Sequence, residues 1–247
     1  DDLSVQSISW MDLPAQDLTA FDVVILSDVP DITPELARTL ETYVREGNGL
    51  IWFGGERIKT DVWNQRSALE GTPLLPAVIE ESLSTGDEMG VGHPLAPAMT
   101  DHAVCRPLRS LPEDLLSETR FRRVLRVKPT ATALTVLALA GNDLPVLIEH
   151  SLGRGQVFMF TSSAGPSWNN MAVTPVFPML LQQMVTYLTA REFETPRLVG
   201  ESLSLFYVDQ PDATDALFDS PSGDSISVPV REYRNHYVAV LNDAREA

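Results

Sequence analysis

The residue types that carry most protein chemistry are sparse in this chain, so their spacing decides what they could do. There are four histidines, His93, His102, His150 and His236, and one cysteine, Cys105. No pair of histidines has the H-x-x-x-H or H-E-x-x-H spacing that sets two imidazoles on one helix face, so a hydrolytic zinc lacks its ligands. A single cysteine forms neither an internal disulfide nor a cysteine metal cluster. Arg106 beside it would favour the thiolate, but Val104-Cys105-Arg106-Pro107 is not the tight strand-to-helix turn of a nucleophile elbow. The G-x-S-x-G form of that elbow is absent, as are the G-x-G-x-x-G and G-x-x-x-x-G-K-[ST] phosphate loops. The expectation is a protein without catalytic residues, bound metal or cofactor.

What remains is a set of polar and glycine residues that the chain order would bring to strand ends. In open α/β sheets, ligands bind outside the carboxyl ends of parallel strands. The candidate ligand-binding residues at such ends are Asp28, Gly54, Gly55, Glu56, Ser162, Ser163, Trp168 and Asn169. Gly54-Gly55 would let backbone approach a ligand, or would only make a sharp turn. Asp28, Asp31, Glu35, Glu56 and Asp61 could gather as oxygen ligands for a hard cation, or could simply be solvated acids. Trp168-Asn169-Asn170 suits a binding loop, and equally a packed indole beside capping amides.

The elements that must position these residues start at Phe21. Phe21 to Leu26 is an apolar, β-branched run of the kind buried on both faces of a sheet. Thr33 then supplies an N-cap, Pro34 a first-turn proline and Glu35 an early acid. Leu36, Leu40, Tyr43 and Val44 share one helical stripe. Gly47 and Gly49 stop the helix, and Leu50 to Phe53 make the next strand. Two strands joined by a helix of this length are expected to be parallel neighbours with a right-handed crossover.

Elsewhere the pattern is looser. Leu3 to Ile8 alternate like an outer strand, and Val62 to Leu69 suggest a short helix with Trp63 and Leu69 buried. Ile79 to Gly92 are acidic and rich in Ser and Gly, which reads as an exposed loop. Residues 93–118 carry four prolines and predict irregular structure with helical turns. Arg120 to Val127, Thr135 to Ala140, Leu144 to His150 and Gln156 to Ser162 read as strands. Ser151-Leu152-Gly153-Arg154-Gly155 makes a hairpin of the last two, with His150 facing solvent or a sheet edge. Thr174-Pro175 opens a helix to about Arg191 that is apolar nearly all round, and so buried on more than one side. Gln182, Gln183 and Thr186 interrupt it too much for a membrane span. After Thr195-Pro196 the texture changes to short strands, with a turn at Pro221-Ser222-Gly223-Asp224. The expected division is an α/β domain over 1–195 and a small β-rich, sandwich-like and incomplete module over 196–247.

Composition narrows the partners. The 247 residues are 44% hydrophobic, enough for a sizeable core, and carry a formal charge of −16. Such a charge repels nucleic acid and anionic membrane surfaces, so neither is expected as a partner. The opening DDLSV lacks an initiator methionine and a signal peptide, which leads us to expect a piece of a longer protein.

Taken in order, several segments resemble the class I glutamine amidotransferase-like domain of bacterial membrane proteins of the aerotolerance (BatA) and von Willebrand factor A type. The carrying residues are Asp22 to Val29, Leu40 to Gly55, Gly92-His93-Pro94-Leu95, Leu144 to Glu149 and Gly153 to Thr161, with Trp168 close behind. The resemblance implies a flavodoxin-like, mostly parallel sheet with helices on both faces. It also implies a membrane-anchored parent in the bacterial cell envelope, with this portion periplasmic. The catalytic cysteine of an amidotransferase has no counterpart here, and no later His-x-Glu pair follows. The expected function is therefore a non-catalytic interaction or assembly module whose partners are other domains of the parent or envelope proteins, touching membrane only through segments outside this one. The alternative is a sensor that binds a small ligand or cation at the strand ends.

Overall fold

Thr33 Oγ1 accepts a hydrogen bond from the Leu36 amide at 3.2 Å, satisfying one of the amides that a helix start leaves free. From Pro34 the chain runs as α1 (Pro34–Arg45) between two strands, β1 (Val23–Ser27) and β2 (Gly49–Gly54). Leu36, Leu40, Tyr43 and Val44 are all buried, as their shared stripe requires. Gly47 ends the helix at φ +124°, a conformation open to glycine and strained for other residues. The two strands pair in parallel, with Val23 opposite Gly49 and Ser27 opposite Phe53.

This computed structural model describes residues 4–68, 73–86, 90–96, 102–190, 203–207, 214–219, 225–233 and 236–241. After β2 come α2 (Thr60–Ser67), β3 (Ala77–Ser84) and the two-residue β4 (His93–Pro94). Next are α3 (Glu113–Glu118), β5 (Arg120–Phe121), β6 (Arg123–Pro129), β7 (Leu134–Ala138), β8 (Pro145–Leu152), β9 (Gly155–Ser163) and α4 (Val176–Ala190). The described residues of the last part of the chain hold β10 (Leu203–Tyr207), β11 (Asp215–Asp219), β12 (Ser225–Pro229), β13 (Arg231–Tyr233) and β14 (His236–Leu241).

The principal sheet has the order β1-β2-β9-β8-β7. Only β1, β2 and β9 run parallel; β9 pairs antiparallel with β8, and β8 with β7. The flavodoxin-like, mostly parallel sheet is therefore incorrect. The sheet is mixed, and separate two-stranded antiparallel pairs, β3 with β6 and β4 with β5, accompany it. The reason lies in the connections. A parallel pair needs a crossover of a dozen or more residues, whereas β8 and β9 are joined through Leu152 opposite Gly155. Residues 139–144 are likewise too short a link between β7 and β8 for anything but an antiparallel turn.

Alternation along β2 divides the core. Leu50 and Trp52 pack with the buried stripe of α1, while Ile51 and Phe53 pack with Val176, Leu180, Met184 and Leu188 of α4. Trp63 of α2 stands edge-on to Trp52 at 5.5 Å between ring centroids, and its indole N–H donates to the Val29 carbonyl at 2.9 Å. Leu69, expected on the same buried side, lies outside the described residues.

Three local expectations change. Residues 4–9 form no strand. The acidic stretch from Ile79 is a strand for its first half, because β3 pairs antiparallel with β6 and sets Glu81 3.1 Å from Arg126. Helix α4 is not buried all round. Val176, Leu180, Met184 and Leu188 are buried, but Phe177, Leu181 and Val185, also four apart, are only half-buried.

By contact the chain divides into two units, one spanning Ile8–Thr189 and the other formed from the chain before and after it. Within the second unit, β10-β14-β13 make one antiparallel sheet and β11-β12 another. Ala216 and Phe218 of β11 and Ala239 and Leu241 of β14 form its small core. The turn expected at Pro221–Asp224 lies outside the described residues.

Candidate functional site at the strand ends

Strands β1, β2 and β9 end side by side, and each end is held by side-chain hydrogen bonds. Directly after β1, Asp28 takes the left-handed conformation (φ +49°), which Asp tolerates better than most residues. Its carboxylate accepts from the Arg57 amide at 2.8 Å and from Arg57 Nε at 3.0 Å. A Cβ on Gly55 would stand 2.3 Å from the Asp28 carboxyl carbon, so only glycine lets the two strand ends approach this closely. Gly54-Gly55 thus makes room for a neighbouring side chain.

At the end of β9, Ser162 Oγ donates to the Arg123 carbonyl at 2.9 Å and accepts from Asn169 Nδ2 at 3.0 Å. Asn169 also donates to the Ser163 carbonyl at 2.7 Å and accepts from the Met171 amide at 2.9 Å. Ser163 Oγ donates to the Gly165 carbonyl at 2.7 Å. Both serine hydroxyls give their protons to backbone carbonyls, an arrangement for fixing a turn; activating a nucleophile would require a base in that place. The following loop is tied to the start of β6, where the Trp168 carbonyl accepts from the amides of Arg122 and Arg123 at 2.8 and 3.1 Å.

In front of this frame lies an open cavity of about 330 Å³, at the small end of the range for ligand pockets. Its lining includes Glu56, Ser84, Arg122, Arg123, Ser167 and Trp168. Arg123 Nη1 donates to Glu56 Oε1 at 3.0 Å, and its guanidinium lies 5.5 Å from the centre of the Trp168 ring. That ring is an electrostatically favourable seat for a cation. Arg122 Nη2 donates to the Pro166 carbonyl at 2.7 Å.

Of the eight residues expected at a ligand site, Glu56 and Trp168 line the cavity. Asp28, Gly54, Gly55, Ser162, Ser163 and Asn169 gather behind it and hold the strand ends in place. Arg122, Arg123, Ser84 and Ser167 were not anticipated. The arginines belong to the basic and apolar alternation at Arg120 to Val127, which marks a strand and does not say what its outward face meets.

Three of the five acids expected to hold a cation face protein cations: Asp28 pairs with Arg57, Asp31 with Lys59 and Glu56 with Arg123. Among the described residues no three His, Cys, Asp or Glu side chains converge on a point where a metal would fit. Three histidines are placed by hydrogen bonds to the protein, and His102 Nδ1 also accepts from the Val104 amide at 3.3 Å. His93 Nδ1 lies 3.2 Å from the Ala140 carbonyl, His102 Nε2 2.8 Å from Glu149 Oε2, and His150 Nε2 3.1 Å from the Leu74 carbonyl. His150 faces neither solvent nor the sheet edge; it is buried, as is Cys105.

No family model matches the chain, and no curated protein matches it either. Solved structures do. The chain is similar to the cytoplasmic protein STM3548 from Salmonella typhimurium, with 18% identity and a TM-score of 0.54 over 69% of this chain and 72% of that one. A second cytoplasmic protein, STM1381 from Salmonella typhimurium LT2, gives 17% identity and a TM-score of 0.48 over 71% and 72%. A β-galactosidase from Rahnella sp. R3 gives 15% identity and 0.46 over 92% of this chain and 33% of that one. At this identity the first similarity shows a shared fold. The expectation of a periplasmic portion of a membrane protein is not carried further: STM3548, whose fold this chain shares, is described as a cytoplasmic protein. No described helix is long and apolar enough to cross a membrane.

Proposed function

We propose that this chain is a non-catalytic binding module that takes a small polar molecule at the carboxyl ends of β2 and β9. The supporting observation is the cavity itself, where Glu56, Arg122, Arg123 and two serines converge around an indole. A few convergent polar groups orient and select a ligand, and strand carboxyl ends are the usual place of a ligand site in an open sheet. The motif-free sequence and the backbone-bonded Ser162 and Ser163 favour binding over turnover. A thermal-shift screen of the full chain against amino acids, sugars, sugar acids and phosphates tests this. A ligand at a hundred times its dissociation constant stabilises the fold by about 2.7 kcal/mol, a readily measured rise in Tm. Ser84→Trp, which fills the cavity from an exposed position, abolishes the rise. A screen without any shift, or a shift that survives Ser84→Trp, rejects the reading.

A second reading, docking of another protein domain, is favoured by a different surface. Ile25 of β1 is 44% exposed and, two residues on from Val23, lies on the α4 side of the sheet. The half-buried stripe Phe177, Leu181 and Val185 of α4 lies on the same side of the sheet. The amidotransferase-like resemblance, with its nucleophile missing, is compatible with either reading.

A further inference from the structure

We propose that the molecule bound in this cavity is an anion, and that its carboxylate or phosphate takes the Arg123 guanidinium over from Glu56. This rests on the cavity being a ligand site and adds the class of ligand. Of the two guanidiniums in the described lining, Arg123 pairs with the carboxylate of Glu56 and Arg122 bonds only a neutral carbonyl.

Geometry supports the same choice. Each guanidinium has five N–H donors in a rigid fork that matches a carboxylate or phosphate. Arg122 uses one donor on the Pro166 carbonyl, and Arg123 uses one on Glu56, so most of each fork remains for a ligand. The Trp168 face holds the Arg123 guanidinium in position before anything binds, which lowers the ordering cost of binding. The Glu56 contact is easily exchanged. Its side chain is 67% exposed and that of Arg123 42%, and an ion pair so open to water contributes little. Replacing one carboxylate by another then keeps Arg123 neutralised, while Ser84 and Ser167 offer hydroxyls to the remaining oxygens.

Isothermal titration of the full chain with citrate, inorganic phosphate and neutral glucose, with backbone NMR to locate any shifts, tests this. The expected result is binding of citrate or phosphate, perturbing Trp168 and Arg123 and weakening as ionic strength rises. Which of the two binds more tightly distinguishes a carboxylate ligand from a phosphate one. Glu56→Gln removes the internal competitor from an exposed position, and affinity rises several-fold. Arg123→Gln lowers it roughly tenfold or more, the scale of a lost charge-assisted hydrogen bond. Glucose binding at Trp168 with neither anion bound rejects the anion and leaves the ligand site standing. Failure of all three probes to perturb the cavity rejects both. Anion binding that Glu56→Gln weakens or leaves unchanged overturns the exchange.

Discussion

His150 sits where a charge is costly. It is 2% exposed, its Nε2 lies 3.1 Å from the Leu74 carbonyl, and its Nδ1 has no hydrogen-bonding partner. Burial lowers its pKa below the ordinary histidine value; the Leu74 hydrogen bond and the charge of Glu149 oppose this but do not cancel it. The unfolded chain therefore binds the proton more readily than the folded one, and stability must rise with pH across that interval. The contribution is complete above about pH 6.5 and is lost as pH falls below it, toward the lowered folded value. Urea denaturation midpoints measured from neutral to mildly acidic pH should fall more steeply for the wild type than for His150→Gln. Equal slopes would mean that His150 takes up its proton freely in the fold. The burial itself was not legible in the sequence. His150 follows Glu149 beside a hairpin loop, a context that suggests solvent, and only the packing of residues 73–76 over β8 removes it from water. Asp28 and Gly55 show the same limit from the other side. Their types suggested a ligand site, but Gly55 leaves room for the Asp28 side chain, whose carboxylate is held by Arg57.

At the scale of elements, the signals that survived are those completed within a few residues. The Thr33 cap, the α1 stripe and the Gly47 stop act within one helix and appear as read. Signals that depend on a distant partner were misread. Ala77 and Ile79 turn inward and Glu80 to Ser82 are polar, and β3 is a strand only because β6 lies beside it. For α4, apolar composition showed a buried helix but not the width of its uncovered side. That side carries the second functional reading. A photo-crosslinking residue at Leu181 in the full chain should capture a partner protein in cells, and one at exposed Lys128 should not. Only uncrosslinked protein at both positions would leave that side without a binding role.

For the whole molecule, the two core clusters that sandwich the principal sheet both lie within Ile8–Thr189. A fragment of those residues should therefore unfold in one cooperative urea transition, monitored by circular dichroism and tryptophan fluorescence together. Non-coincident or gradual transitions would show that the remaining chain completes its core. The order of that sheet separates local from global information. The sequence alone determined the parallel β1-α1-β2 unit, the β8-β9 hairpin and the lack of a recognisable catalytic motif, because turns, caps and periodicity act over short spans. Only the tertiary structure decided that β9 pairs beside β2, joining a hairpin to a parallel unit in one mixed sheet. It alone also placed Arg122 and Arg123 before Glu56 and Trp168. Those pairings lie tens of residues apart in the chain, and they form through burial and hydrogen bonding of surfaces whose meeting no local pattern encodes.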